Sequence, residues 1–269
     1  MQALILGVVQ GATEFLPVSS SGHLVLVPWL LRWENPGLAF DAMLHLGTLV
    51  AVVVYFAKDL WGLLVALLAS MKERSLAHDS NRKIAWLIIV GSVPAAVIGF
   101  FLEDFFERLF AQPLWVGVLL LCTGALLALS ERWSARNREI SGMGWADAVV
   151  VGLGQALAIA PGISRSGATI SAGLWRGLQR ESAARFSFLL SVPVILGAGV
   201  FKLQDLLVTP WVLRSPSVVL VGFAAAAVSG FLSIKFLLAY LRTRRLYPFA
   251  VYCWAAGAVA IVLSLSSIR

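Results

Sequence analysis

The sequence predicts an all-α membrane protein, with about six transmembrane helices plus two broken re-entrant helical hairpins in an inverted-topology repeat. Three observations predict it. Apolar residues make up 59% of the 269 and charged residues only 13%, against about a quarter charged in a soluble domain. Six apolar runs approach or exceed the roughly 20 residues that cross hydrocarbon as a helix. Two further apolar stretches are interrupted in mid-course, and they resemble each other.

The six runs cover roughly 38–68, 84–102 and 114–129 in the first half, and 184–207, 218–241 and 248–265 in the second. The interrupted stretches are 1–31, broken at Leu16-Pro17-Val18-Ser19-Ser20-Ser21-Gly22-His23, and 145–178, broken at Pro161-Gly162-Ile163-Ser164-Arg165-Ser166-Gly167. Proline and glycine stop a helix and the serines cap the next one. The resulting pieces are too short to cross alone, so each stretch is expected to enter and leave on one side. A shift of 145 places Gly7 on Gly152, Gln10 on Gln155, Ser19 on Ser164, Ser21 on Ser166 and Gly22 on Gly167. The chain therefore reads as one membrane domain, 1–269, built from repeat 1 (about 1–131) and repeat 2 (about 145–267), each a hairpin and three spans. Three is odd, so the second copy is inverted. Inverted repeats with broken helices are one way to build a site near the bilayer midplane.

Charge fits this topology. The net charge is +7, but the basic residues lie between apolar runs, which points to membrane orientation and not to nucleic acid. One side collects Lys72, Arg74, Arg82, Lys83, Arg132, Arg136, Arg138, Arg176, Arg180, Arg185, Arg242, Arg244 and Arg245; the other holds Arg32, Arg108, Arg214 and Arg269. The richer side is expected to be cytoplasmic. The first hairpin then dips from outside, the second from the cytoplasm. Residues 71–83 read as a cytoplasmic loop. Cys122 and Cys253, each alone in an apolar run, read as packing residues, and no cleavable signal peptide is expected.

The breaks carry the chemistry. Glu14 is a carboxylate in an apolar stretch, where ionisable groups are costly and point to function. Gln10 lies one turn earlier, and both supply oxygen ligands of the kind Mg2+ or Ca2+ prefers; no Cys/His cluster supports zinc. Ser19, Ser20, Ser21 and Gly22 open a helix whose free N–H groups suit phosphate, and Ser20 and His23 have the spacing of a nucleophile and its base. Ser164, Arg165, Ser166, Gly167 and Thr169 open a second such helix, and Arg165 can bind phosphate bidentately. A structural Glu14–Arg165 tie and a serine-rich cap with a satisfied histidine are the plainer readings. Asp41 and His45, four apart, are weaker candidates for a supporting shell or a local pair. Lys58, Lys202, Asp205 and Lys235 read as snorkelling residues, and His78 as solvated.

At these residues the chain resembles the undecaprenyl-diphosphatase family of bacterial membrane proteins, associated with bacitracin resistance. The segments 10–23 and 161–169 carry the resemblance, which runs from Gly7 to the last span. It implies removal of the terminal phosphate of undecaprenyl diphosphate, recycling a carrier for cell-wall synthesis. It also implies a divalent cation and a site opening to the outer (periplasmic) side of the cytoplasmic (inner) membrane. It implies Gln10 and Glu14 in an acidic motif, Ser20 and His23 in a first serine motif, and Ser164, Arg165 and Thr169 in a second. Ser20 is taken as nucleophile and His23 as general base, with His23 as direct nucleophile the other option. Many members have Glu in place of Gln10, so this site carries one negative charge fewer. The expected partners are a polyprenyl diphosphate lipid and the bilayer; a homodimer is admitted and nucleic acid is not. A transporter or flippase of a polyprenyl phosphate lipid is the alternative, and a lipid-binding scaffold a third class. A phosphatidic-acid-phosphatase type would need a histidine after Arg165, and none follows.

Overall fold

The computed structural model describes residues 1–34, 37–77, 79–110, 112–201 and 216–266. His78, Lys202, Asp205, Arg214 and Arg269 lie outside the described residues, as does the side chain of Arg108. Twelve α-helices are described: α1 Gln2–Phe15, α2 Ser20–Leu31, α3 Leu38–Tyr55, α4 Ala57–Glu73, α5 Ser80–Phe101, α6 Glu103–Phe110, α7 Pro113–Trp133, α8 Trp145–Leu157, α9 Arg165–Trp175, α10 Arg180–Phe201, α11 Pro216–Leu241 and α12 Tyr247–Leu265. Five of them, α5, α7, α10, α11 and α12, are long and apolar enough to cross a membrane, or six spans if the bent pair α3–α4 counts as one.

That bend corrects the run expected over 38–68. α3 and α4 meet at Phe56 with an 82° change of direction. A straight helix from Leu38 to Glu73 would measure about 54 Å, against about 30 Å of hydrocarbon. The polar pair Lys58-Asp59 opens α4, and Asp59 is held by Arg185 of α10 at 2.5 Å. The loop expected over 71–83 is also shorter. α4 continues to Glu73, and Asp79 caps α5 by accepting from the Asn81 N–H. Cys253 is buried as expected, but Cys122 is exposed on α7, so it does not pack inside the protein.

Both hairpins form as two short helices around a break. α1 ends at Phe15 and Leu16 turns extended, φ −64° and ψ 140°, the conformation imposed on a residue before proline. α8 ends at Leu157 and α9 begins at Arg165. The hairpins pack crosswise: α1 lies along α11 of the second half, and α8 along α5 of the first. Glycine makes both contacts. A Cβ on Gly7 would collide with the Gly222 carbonyl oxygen, and one on Gly152 with that of Gly91. Between helices in lipid, where apolar burial supplies no driving force, small residues permit the backbone approach that association needs.

Candidate functional site

The site is built where the two breaks meet. Ser19, the N-cap of α2, has φ 70° and ψ 95°, and its Oγ accepts from the Gly22 N–H at 3.2 Å. Such a backbone costs about 1–3 kcal/mol for a non-glycine residue, so the surrounding contacts hold it. Ser164 caps α9 in the same way, accepting from the Gly167 N–H at 3.0 Å. Each capping serine also bonds the hydroxyl two residues on, Ser19 to Ser21 at 3.3 Å and Ser164 to Ser166 at 3.1 Å. α7 fixes the second break, since Thr123 donates to the Gly162 carbonyl at 2.9 Å and accepts from the Ser164 N–H at 3.0 Å. Gly162, at φ 105°, has no room for a Cβ, which would lie 2.5 Å from the Val116 oxygen.

The tips touch. Arg165 Nη2 donates to Glu14 Oε1 at 2.7 Å, and Ser166 Oγ donates to the Leu16 carbonyl at 3.1 Å. Glu14 is 6% exposed and Gln10 fully buried. Glu14 Oε2 accepts from Ser20 Oγ at 2.5 Å and from Gln10 Nε2 at 2.9 Å. His45 of α3 brings Nε2 to 3.6 Å from the same oxygen. One buried carboxylate thus gathers a hydroxyl, an amide and a guanidinium, with an imidazole alongside. Arg165 Nη1 donates to the Ser187 carbonyl of α10 at 3.2 Å, which aims the guanidinium.

His23 stands differently from the sequence expectation. Its Nδ1 lies 2.7 Å from the Ser19 carbonyl oxygen and its Nε2 2.7 Å from the Tyr252 hydroxyl. A carbonyl only accepts, so Nδ1 carries the proton and Nε2 accepts from Tyr252. Ser20 is therefore hydrogen-bonded to Glu14 and not to His23. Thr169 is engaged inside the protein. It donates to the Arg165 carbonyl at 2.7 Å and pairs with Ser187 Oγ at 2.6 Å, one turn behind the guanidinium. The structure brings Gln10, Glu14, Ser20 and Arg165 into one network, sets Ser19, Ser21, Gly22, Ser164, Ser166 and Gly167 around the two helix starts, and places His23 on the α12 side.

Sequence reasoning missed Tyr252, Ser187 and Thr123, and ranked His45 low. Tyr252 lies 229 residues from His23, within an apolar run, and no local pattern marks it. The spacing of Asp41 and His45 was visible, but the distance from His45 to Glu14 is a product of packing.

The donor set bears on a cation. Among the described residues no group of three or more His, Cys, Asp and Glu side chains gathers to hold a metal. Among the described residues Gln10 Oε1 is buried with no hydrogen-bond partner, and Glu14 Oε1 accepts from Arg165, which leaves that carboxylate oxygen a lone pair. Two hard oxygens from neighbouring turns suit a cation whose remaining ligands come from a phosphate.

Fold and site together define an all-helical, multi-pass membrane protein with polar and charged side chains gathered between two interrupted hairpins. Residues 3–259 match the family model described as Bacitracin resistance protein BacA, and the chain belongs to that family. It is 45% identical over 274 residues to an undecaprenyl-diphosphatase of Methanosphaera stadtmanae, covering 98% of each chain. It is 44% identical to one from Pelotomaculum thermopropionicum, covering 98% of this chain and 96% of the relative. A third, from Pelobacter propionicus, is 42% identical over 100% and 98%.

Proposed function

We propose that the protein hydrolyses undecaprenyl diphosphate to undecaprenyl phosphate and inorganic phosphate. One observation carries the chemistry: Glu14 of one break holds both Ser20 and Arg165, joining a hydroxyl, its proton acceptor and a phosphate-binding guanidinium. The relatives bear the name of a diphosphatase and not of a transporter, and the flippase alternative is not retained.

In this reading the terminal phosphate lies against the N-termini of α2 and α9, whose free N–H groups favour an anion. Arg165 uses two of its five N–H donors on Glu14 and Ser187, and the others stabilise charge on the nonbridging oxygens. Ser20 attacks the terminal phosphorus in line while its proton passes to Glu14 Oε2. The bridging P–O bond breaks and the lipid leaves as monophosphate; water then frees the phosphate from Ser20 and restores its proton. His23 is the other candidate nucleophile, through the unprotonated Nε2 that accepts from Tyr252. Gln10 Oε1 and Glu14 Oε1 would hold Mg2+ or Ca2+, which when bound supplies neutralising charge to the diphosphate. Thr169 and Ser187 keep Arg165 in place.

The crosswise packing of α1 on α11 and α8 on α5 supports the inverted repeat. Orientation follows from charge. Arg136 and Arg180 pair with Glu131, and Arg138 and Arg176 with Asp147, so these basic residues share one end, which we read as cytoplasmic. The site then opens to the outer side of the cytoplasmic membrane. Phosphate release from a prenyl diphosphate in detergent tests the proposal. Release should stop on adding chelator, and Arg165→Ala should lose at least about a hundredfold. An active Arg165→Ala protein would refute the assignment.

A further inference from the structure

Tyr252 packs against His23. It lies in the second turn of α12, 47% exposed, while His23 beneath it is 9% exposed. Their rings are parallel within 10°, with centroids 5.7 Å apart, and the hydroxyl reaches Nε2 at 2.7 Å. The Ser19 carbonyl, from the residue with the strained φ of 70°, fixes the other ring nitrogen. Two contacts from opposite sides therefore set one tautomer and one ring plane. The adjoining Cys253 anchors α12 to the same break, its Sγ lying 3.6 Å from the Pro17 carbonyl, so α12 is registered against the hairpin that carries His23.

We propose that Tyr252 is a positioning residue for His23. Its hydroxyl donates to Nε2 and holds the imidazole in plane, so that the ring is aligned before a head group arrives. A buried imidazole with one nitrogen tied to the backbone can still swing about its side-chain torsions; the second tie removes that freedom, and pre-aligned groups lower a barrier by sparing the ordering step. This inference rests on the phosphatase reading above and on His23 taking part in its chemistry.

The test is Tyr252→Phe, which keeps the stacked ring and removes only the oxygen, with Tyr252→Ala removing both. Phosphate release from farnesyl diphosphate in detergent is measured beside 15N spectra of histidine-labelled protein, with the His23 signal assigned from a His23→Gln variant. Tyr252→Phe should lower kcat roughly fivefold, the equivalent of one hydrogen bond between neutral groups, with KM unchanged, and should move the Nε2 resonance. Tyr252→Ala should lower kcat further at an unaltered unfolding midpoint. An unchanged kcat, a rise in KM alone, or an unmoved Nε2 resonance in Tyr252→Phe would each overturn the assignment. A wild-type spectrum without the Nδ1–H tautomer would do so before any variant is made. If the wild type releases no phosphate, the phosphatase reading fails instead, and the spectra still decide the Tyr252–His23 contact.

Discussion

Replacing Glu14 by glutamine leaves the heavy-atom count unchanged and alters the volume very little, yet it strikes every member of the network. The carboxylate accepts from Arg165 on one oxygen and from Ser20 and Gln10 on the other. An amide offers one acceptor oxygen and one NH2. If the NH2 faces Arg165, two donors meet in a buried space. If it faces the other side, it meets the Gln10 NH2, and Ser20 must turn its proton elsewhere. Arg165 meanwhile loses its counter-charge, with its side chain only 14% exposed. Breaking a buried pair costs about 3–5 kcal/mol; the retained oxygen and the Ser187 carbonyl put this variant near the lower end, about 3 kcal/mol. A domain with the usual stability of about 5–15 kcal/mol stays folded through such a loss. Turnover should suffer more, because Ser20 loses its proton acceptor, a group whose removal costs about 10²–10⁴-fold. The measurement is phosphate release from a prenyl diphosphate by purified wild-type and Glu14→Gln protein, normalised to the folded fraction from thermal unfolding in the same detergent. Turnover within about threefold of wild type, at unaltered stability, would refute the role of Glu14 and the network built on it.

Two more predictions concern the frame. Gly7→Ala and Gly152→Ala each drive a methyl into a carbonyl of the facing helix, and each should cost about 1–3 kcal/mol, read as a lower unfolding midpoint; an unchanged midpoint would show that those helix pairs do not approach so closely. Glu131 is buried and receives Arg136, Arg180 and the Leu246 N–H. Glu131→Ala should therefore destabilise by about 3–5 kcal/mol, and Glu131→Gln by less, while turnover per folded molecule stays at the wild-type level, since the cluster touches none of the site residues.

Hydrophobic run length identified most of the spans, because a helix in lipid must satisfy its own backbone and cover a fixed thickness. Run length did not foresee the 82° turn at 38–68, where apolar character continues through Phe56 and only the polar pair Lys58-Asp59 falls beside the bend. The breaks at 16–19 and 158–164 were legible because proline, glycine and capping serine act within a few residues of themselves. The same locality made Gln10 and Glu14 visible as one face of a short helix and Ser20 as part of the capping serine run.

What the sequence by itself determined is therefore the local part: an all-helical membrane chain, two interrupted hairpins, and the residues at their tips. Only the tertiary structure decided who partners whom. Ser20 could have served His23, three residues away, but folding carries His23 toward Tyr252 and leaves Ser20 on Glu14. The physical reason is range. Capping and chain breaking are set by neighbours in sequence, whereas the partner of a buried polar group is whichever group packing brings within about 3 Å, here from helices as far apart in the chain as α2 and α12.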